Sequence, residues 1–229
     1  ADTFVLTVTN VNDAPTVSSA IADASTAEDS AYSTDISGNF ADVDGDTLTY
    51  TATGMPSTLT MSSAGTLSGT PLQANVGTHS IVVTASDGTL TVADTFVLTV
   101  TNVNDGPVFS STGTTSATED TAYAYIAITT DSESQTITLA GTTIPSWANF
   151  VDVGTGSGVL SGTPENGDVG THNVVITATD ASSASTTQSF TITVTNVNDA
   201  PTLSSAISDA SHAEDAAYSL DVTGNFNDV

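Results

Sequence analysis

The sequence predicts an all-β chain built from tandem antiparallel sandwiches of about seven strands each. Three observations carry this. Apolar residues alternate at period two in short runs, and no stretch shows helical periodicity. Gly, Pro, Asn and Asp punctuate the runs, and β-branched residues fill them. The whole pattern then recurs after about 93 residues.

The predicted strands of the first copy include Ala31–Ile36, Thr47–Ala52, Thr66–Ser68, Thr78–Ala85 and Asp94–Val100. Each copy ends on a run of alternating apolar residues: Phe4/Leu6/Val8, Phe96/Leu98/Val100 and Phe190/Ile192/Val194. These read as the last strand of a domain. Each is followed by Asn-Val-Asn-Asp-Ala/Gly-Pro, at 10–15, 102–107 and 196–201. Proline fixes φ and lacks an N–H, so the chain must leave the ladder there. Two amides and a carboxylate within four residues offer hard oxygen donors of the kind Ca²⁺ takes. The stretch therefore reads as a metal-loaded joint between domains.

Further motifs answer one another across the copies. Thr26-Ala27-Glu28-Asp29 matches Ala117-Thr118-Glu119-Asp120, and Leu67-Ser68-Gly69-Thr70-Pro71 matches Leu160-Ser161-Gly162-Thr163-Pro164. A longer period of about 186 residues lies on top, because residues 200–229 resemble 14–43 more than they resemble the second copy. The expected division is the last strand and linker of a preceding repeat (1–13), a repeat over 14–105, a second over 106–199, and the start of a third over 200–229. The pattern reads as slightly more than one period of a longer array.

Composition sets the partners. The chain has 229 residues, 26 acidic side chains, and neither Lys nor Arg. Binding to nucleic acid or anionic lipid is excluded on charge, and no apolar run is long enough to cross a membrane. Two carboxylates about 4 Å apart repel by about 4 kcal/mol at an effective dielectric near 20. Clusters of them spread, protonate or bind a cation. Cysteine is absent, so there are no disulfides to staple the domains. No nucleophile–base pair and no phosphate loop is evident, and the paired carboxylates recur with the joints rather than in one cleft. The chain reads as non-catalytic.

The ordered set of Glu-Asp, Asp-x-Asp, Leu-Ser-Gly-Thr-Pro, Thr-Ala-Ser/Thr-Asp and Asn-x-Asn-Asp-x-Pro resembles cadherin-like repeats. It is most similar to the bacterial, dystroglycan-type cadherin-like (immunoglobulin-like) repeats of giant surface proteins and adhesins, and the resemblance covers the whole chain. It implies immunoglobulin-like Greek-key sandwiches joined end to end, with Ca²⁺ at each joint. For the first joint it implies Asn10, Asn12, Asp13, Asp42, Asp44 and Asp87 as ligands. For the central joint it implies Glu28, with Asp29 as a further donor, Asn102, Asn104, Asp105, the carbonyls of Val103 and Gly106, and Asp131, Glu133 and Asp180. For the third it implies Glu119, Asn196, Asn198, Asp199 and Asp228.

Two departures from the cadherin pattern remove charge. Ser-Gly-Thr-Pro stands where cadherins carry a mid-domain acid-x-acid pair, and the first linker position is Asn where many have Asp. One or two ions per joint are therefore expected. At the central joint one would be held by Asn104, Asp131, Glu133 and Asp180, and a second by Glu28 and Asp105. Asp46, Asp152, Glu165 and Asp168 read as turn residues, Trp147 as a core plug, and His79, His172 and His212 as exposed strand residues. The expected role is the structural shaft of an extracellular fibre or cell-surface adhesin, partnered by neighbouring repeats and by other copies in a fibre. The alternative is a spacer or carbohydrate-binding module of a secreted multidomain enzyme.

Overall fold

The structure is a computed structural model and describes residues 2–228. It is all-β apart from four short 3₁₀ turns. The chain divides into two units between Asn104 and Asp105, and each is a β-sandwich.

In unit 1 the strands are β1 (Thr16–Val17), β2 (Ala24–Ala27), β3 (Tyr32–Asp35), β4 (Phe40–Ala41), β5 (Thr49–Thr53), β6 (Leu59–Met61), β7 (Thr66–Gly69), β8 (Gly77–Ser86) and β9 (Thr91–Thr101). One sheet has the order β2-β9-β8-β5 and faces a second of order β3-β7-β6, while β1 and β4 form a short ribbon. The long hairpin β8–β9 places every second residue inward: Ile81, Val83, Ala85, Phe96, Leu98 and Val100 are all buried. A fully buried aliphatic or Phe side chain of this kind stabilises by roughly 1.5–3 kcal/mol. At the hairpin tip Asp87 Oδ1 accepts hydrogen bonds from the amides of Thr89 and Leu90 at 2.6 and 2.7 Å, which leaves the Asp87 side chain fixed at one end of the sandwich.

Unit 2 repeats the plan with β10 (Val108–Phe109), β11 (Ser116–Thr118), β12 (Tyr123–Thr130), β13 (Thr138–Thr143), β14 (Ala148–Gly154), β15 (Ser157–Gly162), β16 (Gly170–Thr179) and β17 (Ser185–Thr195). Its sheets run β11-β17-β16-β13 and β10-β12-β15-β14. The inner faces bury Tyr123, Tyr125, Leu139, Leu160, Val174, Ile176, Ile192 and Val194. Trp147 packs against this cluster and meets Tyr123 and His172 edge to face, at 5.6 and 5.9 Å between ring centroids. It is a core plug.

Three expectations are corrected. Not every pair is antiparallel: β2 runs parallel to β9, and β11 parallel to β17, because the second short strand of each repeat joins the free edge of the closing strand. Phe4, Leu6 and Val8 lie outside any strand and are exposed, whereas their counterparts Phe96 and Leu98 are buried on β9. Among the described residues, 4–8 have no ladder partner, and alternation alone does not satisfy backbone donors. His79 and His172 are half-buried rather than exposed, each with Nε2 against a backbone carbonyl, of Asn75 at 2.7 Å and of Asp168 at 2.6 Å. His212 is exposed but lies in coil.

Downstream of Asp199 the short strands β18 (Thr202–Leu203) and β19 (Phe226–Asn227) pair as Thr202↔Asn227 and Leu203↔Phe226. The ribbon in unit 1 pairs as Thr16↔Ala41 and Val17↔Phe40, the same register about 186 residues earlier.

Candidate metal centres

Each unit begins with a linker that meets an acidic loop. In unit 1 the loop is Asp42-Val43-Asp44-Gly45-Asp46, between β4 and β5. Asp42 Oδ1 accepts from the amides of Asp44 and Asp46, at 2.9 and 3.3 Å, and so curls the loop around one carboxylate oxygen. Asp42 Oδ2 is buried and has no hydrogen-bond partner. The linker docks onto the same loop. Asn10 Nδ2 donates to Asp44 Oδ1 at 2.8 Å, the Asp13 amide donates to Asp44 Oδ2 at 2.7 Å, and Asn12 Nδ2 donates to Asp87 Oδ2 at 2.9 Å. The structure thus brings together Asn10, Asn12, Asp13, Asp42, Asp44 and Asp87.

The same arrangement holds in unit 2, on the loop Asp131-Ser132-Glu133-Ser134-Gln135. Asp131 Oδ1 accepts from the amides of Glu133 and Gln135, both at 3.0 Å, and Asp131 Oδ2 is again buried without a partner. The Asp105 amide donates to Glu133 Oε1 at 3.3 Å, and Ser132 Oγ donates to Asp105 Oδ2 at 2.9 Å. A Cβ built at Gly106 would lie 3.7 Å from that of Ala184, so the linker runs against the loop carrying Asp180. Asp180 is buried, and its Oδ1 accepts from the Ala184 amide at 2.8 Å.

Each unit also ends on a carboxylate beside the departing linker. Glu28 is buried, and its Oε1 accepts from the Val103 amide at 2.9 Å. Gln73 and Asn102 lie against it. With the Gln73 amide nitrogen turned inward, its two N–H donors lie within reach of both Glu28 oxygens, at 2.7 and 2.9 Å, and Asn102 Oδ1 lies 2.9 Å from the same nitrogen. In unit 2 the matching Glu119 is equally buried. Its Oε2 accepts from the Val197 amide at 3.3 Å, and its Oε1 has no partner. Glu119, Asp120 and Asp199 bring carboxylate oxygens within 4.8 Å of one another. Asn196 and Asn198 each turn back onto the carbonyl of the next residue, at 3.1 and 3.0 Å, and Asp228 is exposed and outside this group.

Electrostatics sharpen the picture. Hydrogen bonds, chiefly from the Leu90 amide and then from the Asn12 side chain, hold the Asp87 carboxyl far below the usual carboxylate range. The Asp13 amide and then Asn10 lower the pKa of the Asp44 carboxyl as well. Buried Glu28 and Glu119 have no Lys ammonium or Arg guanidinium to pair with, since the chain contains neither residue. Isolated buried carboxylates are costly unless protonated or matched by a cation. The donor sets are all oxygen, with carboxylates, amides and carbonyls, which suits a hard divalent cation such as Ca²⁺ and not zinc.

Four of these residues are not among the ligands the resemblance implies, and one of them, Asp46, reads from the sequence as a turn residue. Asp46 joins Asp42 and Asp44 in one carboxylate group, a placement signalled by the alternating Asp-x-Asp-x-Asp. Asp120 joins Glu119, Ser132 bonds the linker, and Gln73 meets Glu28 from a 3₁₀ turn (Gln73–Asn75) that nothing near it in sequence announces.

The family model described as Putative Ig domain (He_PIG) matches residues 14–101 and again 106–195. Among solved structures, the chain is similar to the endo-fucoidan hydrolase MfFcnA4 from glycoside hydrolase family 107, at 30% identity over 80% of this chain and 29% of that one, with a TM-score of 0.40. It is similar to PcdhgB3 EC1-4 at 16% identity over 80% of this chain and 50% of that one, TM-score 0.51. Extracellular cadherin domains 3-6 of Protocadherin Gamma B2 align at 16% identity over 82% and 49%, TM-score 0.48. The chain spans less than a third of the hydrolase's length and about half of these cadherin chains. The likeness to PcdhgB3 is one of fold. No curated protein sequence matches the chain. Two tandem sandwiches of cadherin-like form, each matched by the same family model, place the protein in the Putative Ig domain family.

Proposed function

We propose that the chain is a section of an extracellular shaft or cell-surface adhesin whose joints bind Ca²⁺, and that its role is mechanical rather than catalytic. The observation that carries this is the set of buried carboxylate oxygens without partners, Asp42 Oδ2, Asp131 Oδ2 and Glu119 Oε1, at the linkers of a chain with no cationic side chain but histidine. Ca²⁺ takes six to eight oxygens, and it would supply the positive charge these groups lack. Asp105, Asp131, Glu133 and Asp180 would hold one ion where the linker enters unit 2. Asn10, Asn12, Asp13, Asp42, Asp44 and Asp87 would serve the first linker, and Glu119, Asn196, Asn198 and Asp199 the third. An ion gripped by both linker and loop removes bending freedom from the linker. Neighbouring repeats are then the primary partners.

Other copies are the second class of partner. A surface without Lys or Arg repels its neighbours at low ionic strength. At about 1 M salt the Debye length falls to about 3 Å, and divalent ions cancel part of the remaining charge. Lateral packing in a fibre becomes feasible under those conditions.

Small-angle scattering with and without chelator tests the reading. Extracellular calcium modules bind at about 10⁻⁴–10⁻³ M, so EDTA should leave each sandwich folded while reducing the maximum dimension of the chain. A profile unchanged by EDTA would contradict it.

A further inference from the structure

The two carboxylates that close the units, Glu28 and Glu119, occupy the same place in sequence and fold but not the same environment. Each precedes an Asp with left-handed backbone, at φ +57° for both Asp29 and Asp120. Each is buried to 1% exposure, and each accepts a linker amide, from Val103 or Val197. Each also stands near a 3₁₀ turn that follows Gly-Thr-Pro, Gln73–Asn75 in unit 1 and Asn166–Asp168 in unit 2. The difference lies in the first residue of that turn. Gln73 reaches Glu28, and an amide turned nitrogen inward places its two N–H donors within reach of both carboxylate oxygens. Asn166 is one methylene shorter, and Glu119 Oε1 is left buried without a partner, next to carboxylate oxygens of Asp120 and Asp199.

We propose that Gln73 stands in for a metal ion at Glu28, so that calcium occupancy alternates along the array. In this arrangement the linker leaving unit 1 takes no ion at its Glu28 end, and the linker leaving unit 2 takes one at Glu119, Asp120 and Asp199. A neutral amide donor gives Glu28 two hydrogen bonds and no charge, which meets the need of a buried carboxylate without a cation. Three converging carboxylates with one orphaned buried oxygen have no such internal solution, and a divalent cation supplies it. Because unlike domains alternate with a period of about 186 residues, a chain of such units would have joints of two kinds, one less dependent on calcium than the other. This rests on the proposal that the linkers bind calcium at all.

The test is calcium stoichiometry by calorimetric titration on the full chain, comparing Glu119→Gln, Glu28→Gln and Gln73→Ala with the parent. Glu119→Gln should remove one ion per chain, and Glu28→Gln should leave the count unchanged. Gln73→Ala frees Glu28 and should add an ion or tighten binding. The proposal is overturned if Glu28→Gln removes an ion as Glu119→Gln does. It is equally overturned if Gln73→Ala weakens binding, because the amide oxygen would then be a ligand rather than a substitute for one. No calcium binding in the parent chain would defeat both this inference and the reading beneath it, whereas equal loss from both Glu variants would defeat the inference alone.

Discussion

The loop Asp42–Asp46 in unit 1 and the loop Asp131–Gln135 in unit 2 share a backbone and differ in almost every other respect. In both, the first Asp binds the amides two and four residues on through Oδ1 and keeps Oδ2 buried and unpartnered. In both, the linker Asp amide, of Asp13 or Asp105, reaches the third residue of the loop. In both, the fourth residue is left-handed. The rest varies: Asp44 against Glu133, Asp46 against Gln135, Val43 against Ser132, Gly45 against Ser134. The first Asp therefore builds the loop, and the third residue presents an oxygen to the linker. The second and fifth positions tune charge without disturbing that frame.

The largest effects should fall on what the two units share. Leu67 and Leu160 sit at matching positions and are fully buried. Replacing either with Ala should cost about 2–5 kcal/mol, equally with and without calcium. Chemical denaturation of the two variants in EDTA and in calcium checks this, and a calcium-dependent penalty would mean that core and loops are coupled.

Next in size is the first Asp of the loop. Asp131→Ala removes two charge-assisted hydrogen bonds and a proposed ligand, at a cost of about 2 kcal/mol that should grow as calcium is added. Asp152 also accepts two amides, from Leu139 and Gly154, but it is exposed and lies on strand β14 rather than on the turn expected from the sequence. Asp152→Ala should therefore destabilise independently of calcium. Thermal melts across a calcium titration separate the two, and equal calcium dependence would show that Asp131 is not a ligand.

The fourth position offers a smaller, signed test. Gly45 has φ +80° and open space where a Cβ would go, so Gly45→Ala should destabilise by about 1 kcal/mol through backbone strain alone. Ser134 has φ +59°, and Ser134→Gly should be neutral or stabilising by less than about 1 kcal/mol. Opposite signs in paired melts would confirm that the loops share one frame.

The smallest effect is the acid release of the first linker. Asp44 and Asp87 have folded pKa values depressed by the amides and side chains that bind them. Groups of this kind stabilise the docked linker above their unfolded value near 3.9, and that stabilisation fades as pH falls through the lower folded values. Amide chemical shifts of Asp13 and Leu90 should thus hold steady down to about pH 4 and move below it. Movement already near pH 6 would contradict the assignment.

Much of this could be read in the sequence, for physical reasons that also mark the limits. The strand predicted at Thr78–Ala85 is observed at Gly77–Ser86, and that at Asp94–Val100 at Thr91–Thr101, because inward and outward residues alternate cleanly there. Ala24–Ala27 carries only small residues, so nothing local shows that it pairs in parallel with β9. Asp131 and Glu133 were visible as an acid-x-acid pair, and the structure places them beside Asp105. Gln73 was not visible, because its role depends on a carboxylate 45 positions earlier that only tertiary packing brings within reach. The ring nitrogens of His79 and His172 meet the carbonyls four residues earlier, a local contact that depends on the 3₁₀ turns before each strand.

The central claim is that the orphaned oxygens of Asp42 and Asp131 are metal ligands. Crystals of the chain grown in calcium at about 10⁻³ M or above, the upper range for extracellular modules, test it most directly. The account predicts a density peak within about 2.3–2.6 Å of Oδ2 of each Asp, with further oxygens from the linker. Water alone at both positions, in crystals holding calcium elsewhere, would contradict it.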